Sequence, residues 1–292
     1  MRSGFAVPQV GSAAGPNAVI TVAQRAEALG FDSLWVLDRI LYPVNPRAPY
    51  PVGDGSLPAK YKNVLDPLQT LTFAAAHTRR VALGTSVLNL PWYTPVLLAR
   101  QLTTLDILSG GRLRIGFGIG WSPDEYEAVS TPWQERGKRA DELIQALKTI
   151  WTTDPVEFQG EYYHSKGGVL EPKPIQKPHP PLLFGGTGPR MLKLAGKYGD
   201  IIFLPPEIKP SFNEAKGLVL KAAKESERTT RFSFAATSPS NRGGGSDSKY
   251  DPKALGEAVL EAEKNRCEYF VLSFPEDGLL KSMSDFARNV MV

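Results

Sequence analysis

A turn of Gly185-Gly186-Thr187-Gly188-Pro189 separates the apolar run Leu182 to Phe184 from a helical pattern that continues through Tyr198. Glycines let the main chain come close to a ligand, and the unpaired amides at a helix start attract an anion. Thr187 adds a hydroxyl, Pro189 suits the first helical position, and Arg190 follows at once. A phosphate group is the ligand such a turn suits, although an ordinary strand-to-helix connection uses the same residues. Asp38 and Arg39 stand directly after the apolar stretch Ser33 to Leu37. A carboxylate there can hydrogen-bond a polar ligand or relay a proton; it can also cap a loop or join a surface ion pair. Ser86, Val87 and Asn89 lie in GTSVLNLP. A polar Ser and Asn inside an apolar strand need partners if buried, either neighbouring backbone or the heterocycle of a ligand.

The stretch SGGRLRIGFGIGW, Ser109 to Trp121, alternates strictly. Leu113, Ile115, Phe117 and Ile119 share one face, and Gly116, Gly118 and Gly120 the other, as a strand requires. Glycines on one face fill a core poorly. They fit either a tight bend or bulge, or a flat ligand lying against that face with Trp121 walling the pocket.

Other chemistries find little support. His77 sits on a helical pattern, and His164 and His179 lie in an irregular segment, with no pair at metal-ligand spacing. No nucleophile elbow, Ser-His-Asp set or strand-terminal lysine stands out. Asp124 and Glu125 read as an ion-pair network with Arg136 and Arg139. Cys267 is the single cysteine, so an internal disulfide and a cysteine-rich metal site are excluded. The net charge of +4 comes from scattered Lys and Arg, without the basic stripe of a nucleic-acid binder. No run approaches the roughly 20 apolar residues of a membrane span. With a strand-like segment right at the start and no visible signal peptide, the expected setting is cytoplasmic. A pocket without acid–base or metal machinery of its own points to a bound cofactor.

These residues need a scaffold, and the pattern supplies one. Strands are expected at Phe5 to Gln9, Ser33 to Leu37, Val81 to Leu90, Leu113 to Ile119, Leu182 to Phe184, Asp200 to Leu204, Arg231 to Thr237 and Tyr269 to Phe274. Helical patterns stand between them. Asn17 starts the first and Gly30 stops it; Asp66-Pro67 and Thr94-Pro95 open the next two. Others run over Gln134 to Trp151, Pro210 to Lys224, Pro252 to Asn265 and Asp277 to Val290. Two segments break the rhythm: a Pro-, Tyr- and Gly-rich loop at about 40–65, and an insertion at about 152–181 containing a hairpin-like VEFQGEYYH and the run EPKPIQKPHPP. Ser238 to Tyr250, with NRGGGSDSK at its centre, reads as a mobile loop. Eight strand–helix units predict a single-domain (β/α)8 TIM barrel over 1–292, with insertions after strands 2 and 4 and function on the loops at the strands' C-terminal ends. A doubly wound sheet is the alternative.

Together, LWVLDRI, VALGTSVLNLPWYTPVLLARQLTTLDILSGGR, SGGRLRIGFGIGW, ERGKRADE and KPHPPLLFGGTGP resemble the bacterial luciferase-like monooxygenase superfamily, most closely the branch using the deazaflavin coenzyme F420. The resemblance extends to about Leu204. It implies a TIM barrel, usually dimeric, with the cofactor across the C-terminal face. By resemblance, Asp38 and Asn89 contact the deazaflavin, and Ser86-Val87 forms a bulge, often a non-proline cis peptide, behind its ring. Gly185 to Gly188 hold its phosphate. Two positions depart from relatives that oxidise sugar phosphates: Arg39 stands where those have His, and Trp121 where they have Glu. GDIIFLP also replaces a common GDGW.

The resemblance implies hydride transfer between reduced F420 and a small substrate with an unsaturated or carbonyl-type bond. Asp38, Arg39 and Trp121 are the candidate catalytic residues, and Tyr42, Tyr50 and Trp121 line the substrate side. Arg39 or a water is a candidate proton donor. The alternatives are an FMN-dependent monooxygenase served by a partner reductase and oxygen, and an F420-binding protein without turnover. The partners implied for the homodimer are the cofactor and a small molecule alone, without nucleic acid or membrane.

Overall fold

Asp66 accepts a hydrogen bond from the Gln69 amide at 2.8 Å and Pro67 opens the helix behind it, so the cap-then-proline signal sets that start as expected. The computed structural model describes residues 1–51, 53–204, 210–229, 232–238, 251–273 and 278–291. Of the loop expected at Ser238 to Tyr250, residues 239–250 lie outside the described residues, as do Arg231, Phe274 and Asp277 at element ends. The elements are β1 Arg2–Ala6, α1 Pro16–Leu29, β2 Ser33–Val36, α2 Pro67–His77, β3 Ala82–Thr85, β4 Leu88–Asn89, α3 Pro95–Leu108, β5 Leu113–Gly118, α4 Pro123–Ala128 and α5 Arg136–Thr152. They continue as β6 Val156–Gln159, β7 His164–Gly168, β8 Leu182–Gly185, α6 Pro189–Tyr198, β9 Ile201–Phe203, α7 Phe212–Glu225, β10 Ser233–Thr237, α8 Pro252–Lys264, β11 Tyr269–Leu272 and α9 Leu279–Val290.

The parallel order β3-β2-β1-β11-β10-β9-β8-β5 closes through a β3–β5 pairing, and the short β4 extends the β3 side along β5. This is the (β/α)8 barrel. Phe5, Leu34, Leu83, Ile115, Phe117 and Phe270 face outward into the layer shared with the helices. The lumen holds Trp35, Leu183, Ile201, Phe203, Ala235, Tyr269 and Val271. Trp35 fits because its neighbours across the strands, Gly4 and Gly84, have no side chain; a Cβ on either would overlap the indole. Its Nε1 donates to Ser33 Oγ at 2.8 Å, and its ring meets Phe203 edge-on.

Several boundaries differ from the sequence expectation. The first strand ends at Ala6, because the Gln9 side chain leaves the ladder to bond Leu37 and Leu65, donating to both carbonyls at 2.7 Å. Helix α1 begins at Pro16 with Gly15 as cap, two positions ahead of Asn17. The third strand is broken: Ser86-Val87 is a cis peptide, and β3 and β4 flank it. The insertion at 152–181 follows α5, and so leads into the N-terminal end of β8. Its hairpin β6–β7 turns at Glu161 to Tyr163, whose three amides donate to the Glu142 carboxylate on α5. The proline-rich run is fastened below β5 by Gln176. Its Nε2 donates to the buried Asp106 carboxylate at 2.7 Å and to the Leu113 carbonyl at 2.9 Å, while Arg114 donates to its Oε1 at 3.0 Å.

Candidate active site

The C-terminal ends of β2, β3–β4, β5 and β8 gather most of the residues singled out above. The glycine face of β5 does turn into the barrel, but the space beside it is filled by the chain itself. A Cβ at Gly116 would overlap the Thr85 carbonyl, one at Gly118 would overlap the Val87 side chain, and one at Gly120 would stand 3.2 Å from Asn89 Oδ1. Alternate residues of one strand thus seat the alternate residues of the interrupted strand beside it. Of the two alternatives for these glycines, a bulge or a flat ligand directly against them, the filled space favours the bulge, here on the neighbouring strand. Thr85 Oγ1 secures the contact by donating to the Gly116 carbonyl and accepting from its amide, both at 2.8 Å. Val87 is held from two sides, since a Cβ at Gly185 would come within 2.8 Å of its other methyl.

Asp38 follows β2 and is 6% exposed. Its Oδ2 accepts from the Asn89 amide at 2.9 Å and from the Tyr93 hydroxyl at 3.0 Å. Asn89 Nδ2 donates to the Asp38 carbonyl at 3.3 Å, so the polar Asn in the apolar strand is satisfied by the chain. Burial pushes the Asp38 carboxyl up to about 7; the two hydrogen bonds oppose the rise, and the charges of Glu125 and Asp66 add to it.

Arg39 does not meet solvent or a surface partner. Its Nη2 lies 3.0 Å from Glu125 Oε2, with the two side chains 6% and 2% exposed. The Ile40 amide donates to the other Glu125 oxygen at 3.1 Å. The guanidinium lies 5.1 Å from the Trp121 ring centroid and 5.4 Å from that of Tyr61. Tyr50 completes the cluster, edge-on to Trp121 at 5.4 Å, with its hydroxyl 3.3 Å from that of Tyr61. Arg39 Nε is buried without a hydrogen-bond partner. Burial raises the Glu125 carboxyl above its ordinary range despite Arg39, so the low dielectric costs this pair heavily.

The ion-pair network expected for WSPDEYE is therefore different. Asp124 pairs with Arg47 at 3.1 Å, Glu125 with Arg39, and Arg139 with Glu135 at 2.7 Å, while Arg136 stacks on Trp133. Of the tyrosines expected to line the substrate side, Tyr50 joins Trp121. Tyr42 lies apart, donating to the Leu57 carbonyl at 3.1 Å with Lys62 over its ring. Tyr61 and Tyr93 were not singled out, and Glu125 was assigned to the wrong arginines. Glu125 carries a visible signal, an acid in the first turn after a strand end, but its partner lies 86 positions away.

The turn after β8 has the expected strand–turn–helix setting. Gly186 has φ +114°, which favours glycine. Gly188 caps α6 without a side chain, and Pro189 follows, so no side-chain acceptor occupies the first-turn amides. No group of three His, Cys, Asp or Glu among the described residues is placed to hold a metal ion. Cys267 is buried, which pushes its thiol up to about 12.

Comparison with known proteins adds the family. The chain is 37% identical over 131 residues to the FMNH(2)-dependent dimethylsulfone monooxygenase of Pseudomonas putida, covering 44% of this chain and 36% of that one. It is 33% identical over 190 residues to the F420-dependent glucose-6-phosphate dehydrogenase of Amycolatopsis mediterranei, covering 64% and 52%. The alignments thus span about half or less of those relatives. In fold, it matches the coenzyme F420-dependent tetrahydromethanopterin reductase of Methanopyrus kandleri with a TM-score of 0.76 and 18% identity, over 99% of this chain and 98% of that one. The sequence profile of the luciferase-like monooxygenases matches residues 1–240. The chain belongs to the luciferase-like monooxygenase family.

Proposed function

We propose that the chain is a coenzyme F420-dependent oxidoreductase that passes hydride between the reduced deazaflavin and a small organic substrate with an unsaturated or carbonyl-type bond. The observation that carries this reading is the convergence, at one end of the barrel, of the side-chain-free helix start at Gly188, the pinned Val87 and the buried Asp38. The residues fit such a group. The first-turn amides of α6, with Gly185 to Gly188, would hold its phosphate. The bulge at Ser86-Val87 would support its ring, and Asp38 and Asn89 would contact it. When bound, the cofactor supplies the hydride chemistry.

Arg39 serves in this reading as a fixed cation, since guanidinium keeps its charge in proteins. Glu125, Tyr61 and Trp121 clamp it, and it donates hydrogen bonds to substrate rather than protons. Tyr50 and Trp121 wall the substrate side, while Tyr42 supports the loop. The same reading takes the protein as a cytoplasmic homodimer. The dimethylsulfone monooxygenase relative favours a second reading, an FMN-dependent monooxygenase with a partner reductase and oxygen.

The test is titration of purified protein with oxidised F420, followed by cofactor fluorescence, alongside FMN. Saturable F420 binding, weakened when Gly186 or Thr187 is replaced, supports the proposal. Preference for FMN, with oxygen uptake by the reduced complex, supports the second reading. Binding of neither refutes both. Tight F420 binding without turnover on a broad panel of electrophiles leaves a storage or carrier protein.

A further inference from the structure

The Asp38 carboxyl is engaged on one side only. Both donors that reach it, the Asn89 amide and the Tyr93 hydroxyl, converge on Oδ2, and among the described residues none reaches Oδ1. The charged groups that face it are unfavourable to an anion. Glu125 and Asp66 are acidic, and the neighbouring guanidinium of Arg39 is committed to Glu125. Oδ1 is not a buried unpartnered atom and so borders open space, but a carboxylate only 6% exposed and held at one oxygen would still be poorly compensated. A neutral carboxyl avoids that cost: its carbonyl-type oxygen accepts both bonds, and its hydroxyl becomes a donor.

We propose that Tyr93 is a positioning residue: with the Asn89 amide it fixes Oδ2 as the acceptor and so assigns the proton of Asp38 to Oδ1, the oxygen left to face a bound molecule. The rise of this carboxyl to about 7 agrees with that arrangement. The use of the proton rests on the function proposed above. Reduction of a C=C or C=O bond by hydride from the reduced deazaflavin needs one proton as well. That proton passes from Oδ1 to the substrate atom that gains the electron pair, and the carboxylate regains one from water. The substrate is reduced by two electrons and the deazaflavin oxidised by two.

The experiment is a carboxyl-13C NMR titration of the full chain labelled at aspartate, with D38N identifying the Asp38 signal. No cofactor is added, so the result is independent of whether F420 or FMN binds. The wild-type signal is expected to titrate near neutral pH. Tyr93 favours the ionised form in this balance, so Y93F should move the midpoint up by roughly one on the pH scale, while W92F, beside it in sequence, leaves it in place. Uniform 3-fluorotyrosine, a stronger donor of nearly the same shape, should move it down even if Y93F fails to fold. A wild-type midpoint below about pH 5 overturns the proposal. So does a midpoint unmoved by both Y93F and 3-fluorotyrosine.

Discussion

Replacing Glu125 by Gln should destabilise this protein more than any single change to its other ion pairs. The Gln keeps the shape and an acceptor for the Ile40 amide, but removes the charge facing Arg39. With the two side chains 6% and 2% exposed, the guanidinium cannot recover its hydration without opening the site. Breaking a buried pair from one side costs about 3–5 kcal/mol. The faces of Tyr61 and Trp121 return about 0.5–2 kcal/mol by cation–π attraction, so a net loss of about 1–4.5 kcal/mol is expected. Asp124 offers the internal control: its partner Arg47 is 51% exposed, so D124N should cost at most about 1 kcal/mol. The assay is urea unfolding of wild type, E125Q, R39M, D124N and R39M/E125Q, in dilute buffer and in 1 M salt. High salt should erase the D124N effect and leave the E125Q effect nearly intact. The double variant should be markedly less damaged than the sum of the singles, because it leaves no buried charge. An E125Q protein within about 0.5 kcal/mol of wild type, or singles that simply add, would refute the reasoning.

Stability should also depend on Asp38 through pH. Its folded-state carboxyl titrates above the unfolded one, so its contribution is intact below about pH 4 and is lost as pH rises through about 7. D38N should therefore match wild type in urea unfolding at pH 4 and exceed it at pH 8, by up to about 4 kcal/mol; an equal difference at both pH values would contradict this. Gly118→Ala should cost about 1–3 kcal/mol by overpacking against Val87. Adding Val87→Ala should restore part of the thermal midpoint, whereas Gly116→Ala, which meets the main-chain oxygen of Thr85, should have no such rescue. Gly188→Asp has open space and an extended conformation available, and should raise stability by roughly 0.3 kcal/mol as a better cap. Its carboxylate would occupy the first-turn amides, so F420 binding should weaken more than tenfold; unchanged affinity would move the phosphate elsewhere.

Most of the barrel was legible because strands and helices announce themselves locally. Helix starts at Asp66-Pro67 and Thr94-Pro95 rest on neighbours in the chain. What escaped depends on distant contacts. The first strand looked longer because Val7 and Gln9 continue its pattern, and only the fold shows the Gln9 amide serving Leu37 and Leu65. Helix α4 is too short to show a period. The glycine face of β5 was visible, but its occupant was not, because the bulge that fills it belongs to another strand. Arg39 and Glu125 were each visible as charges. That they neutralise one another between Tyr61 and Trp121 follows only from loop packing.

Gln176 places the long proline-rich run beneath the barrel, at the end away from Asp38 and Gly188. The polypeptide thereby divides its labour. In the proposed reading one rim carries recognition, and the other carries a brace whose amide holds Asp106, Leu113 and Arg114 together. Such a division makes the braced rim separately exchangeable. A chain with 152–181 shortened to a plain linker would melt earlier yet keep its ligand preferences, whereas a foreign loop at 40–65 would change its guests and, by uncovering Arg39 and Glu125, its melting as well. Variation among relatives can then accumulate on the braced rim without charging the other for it.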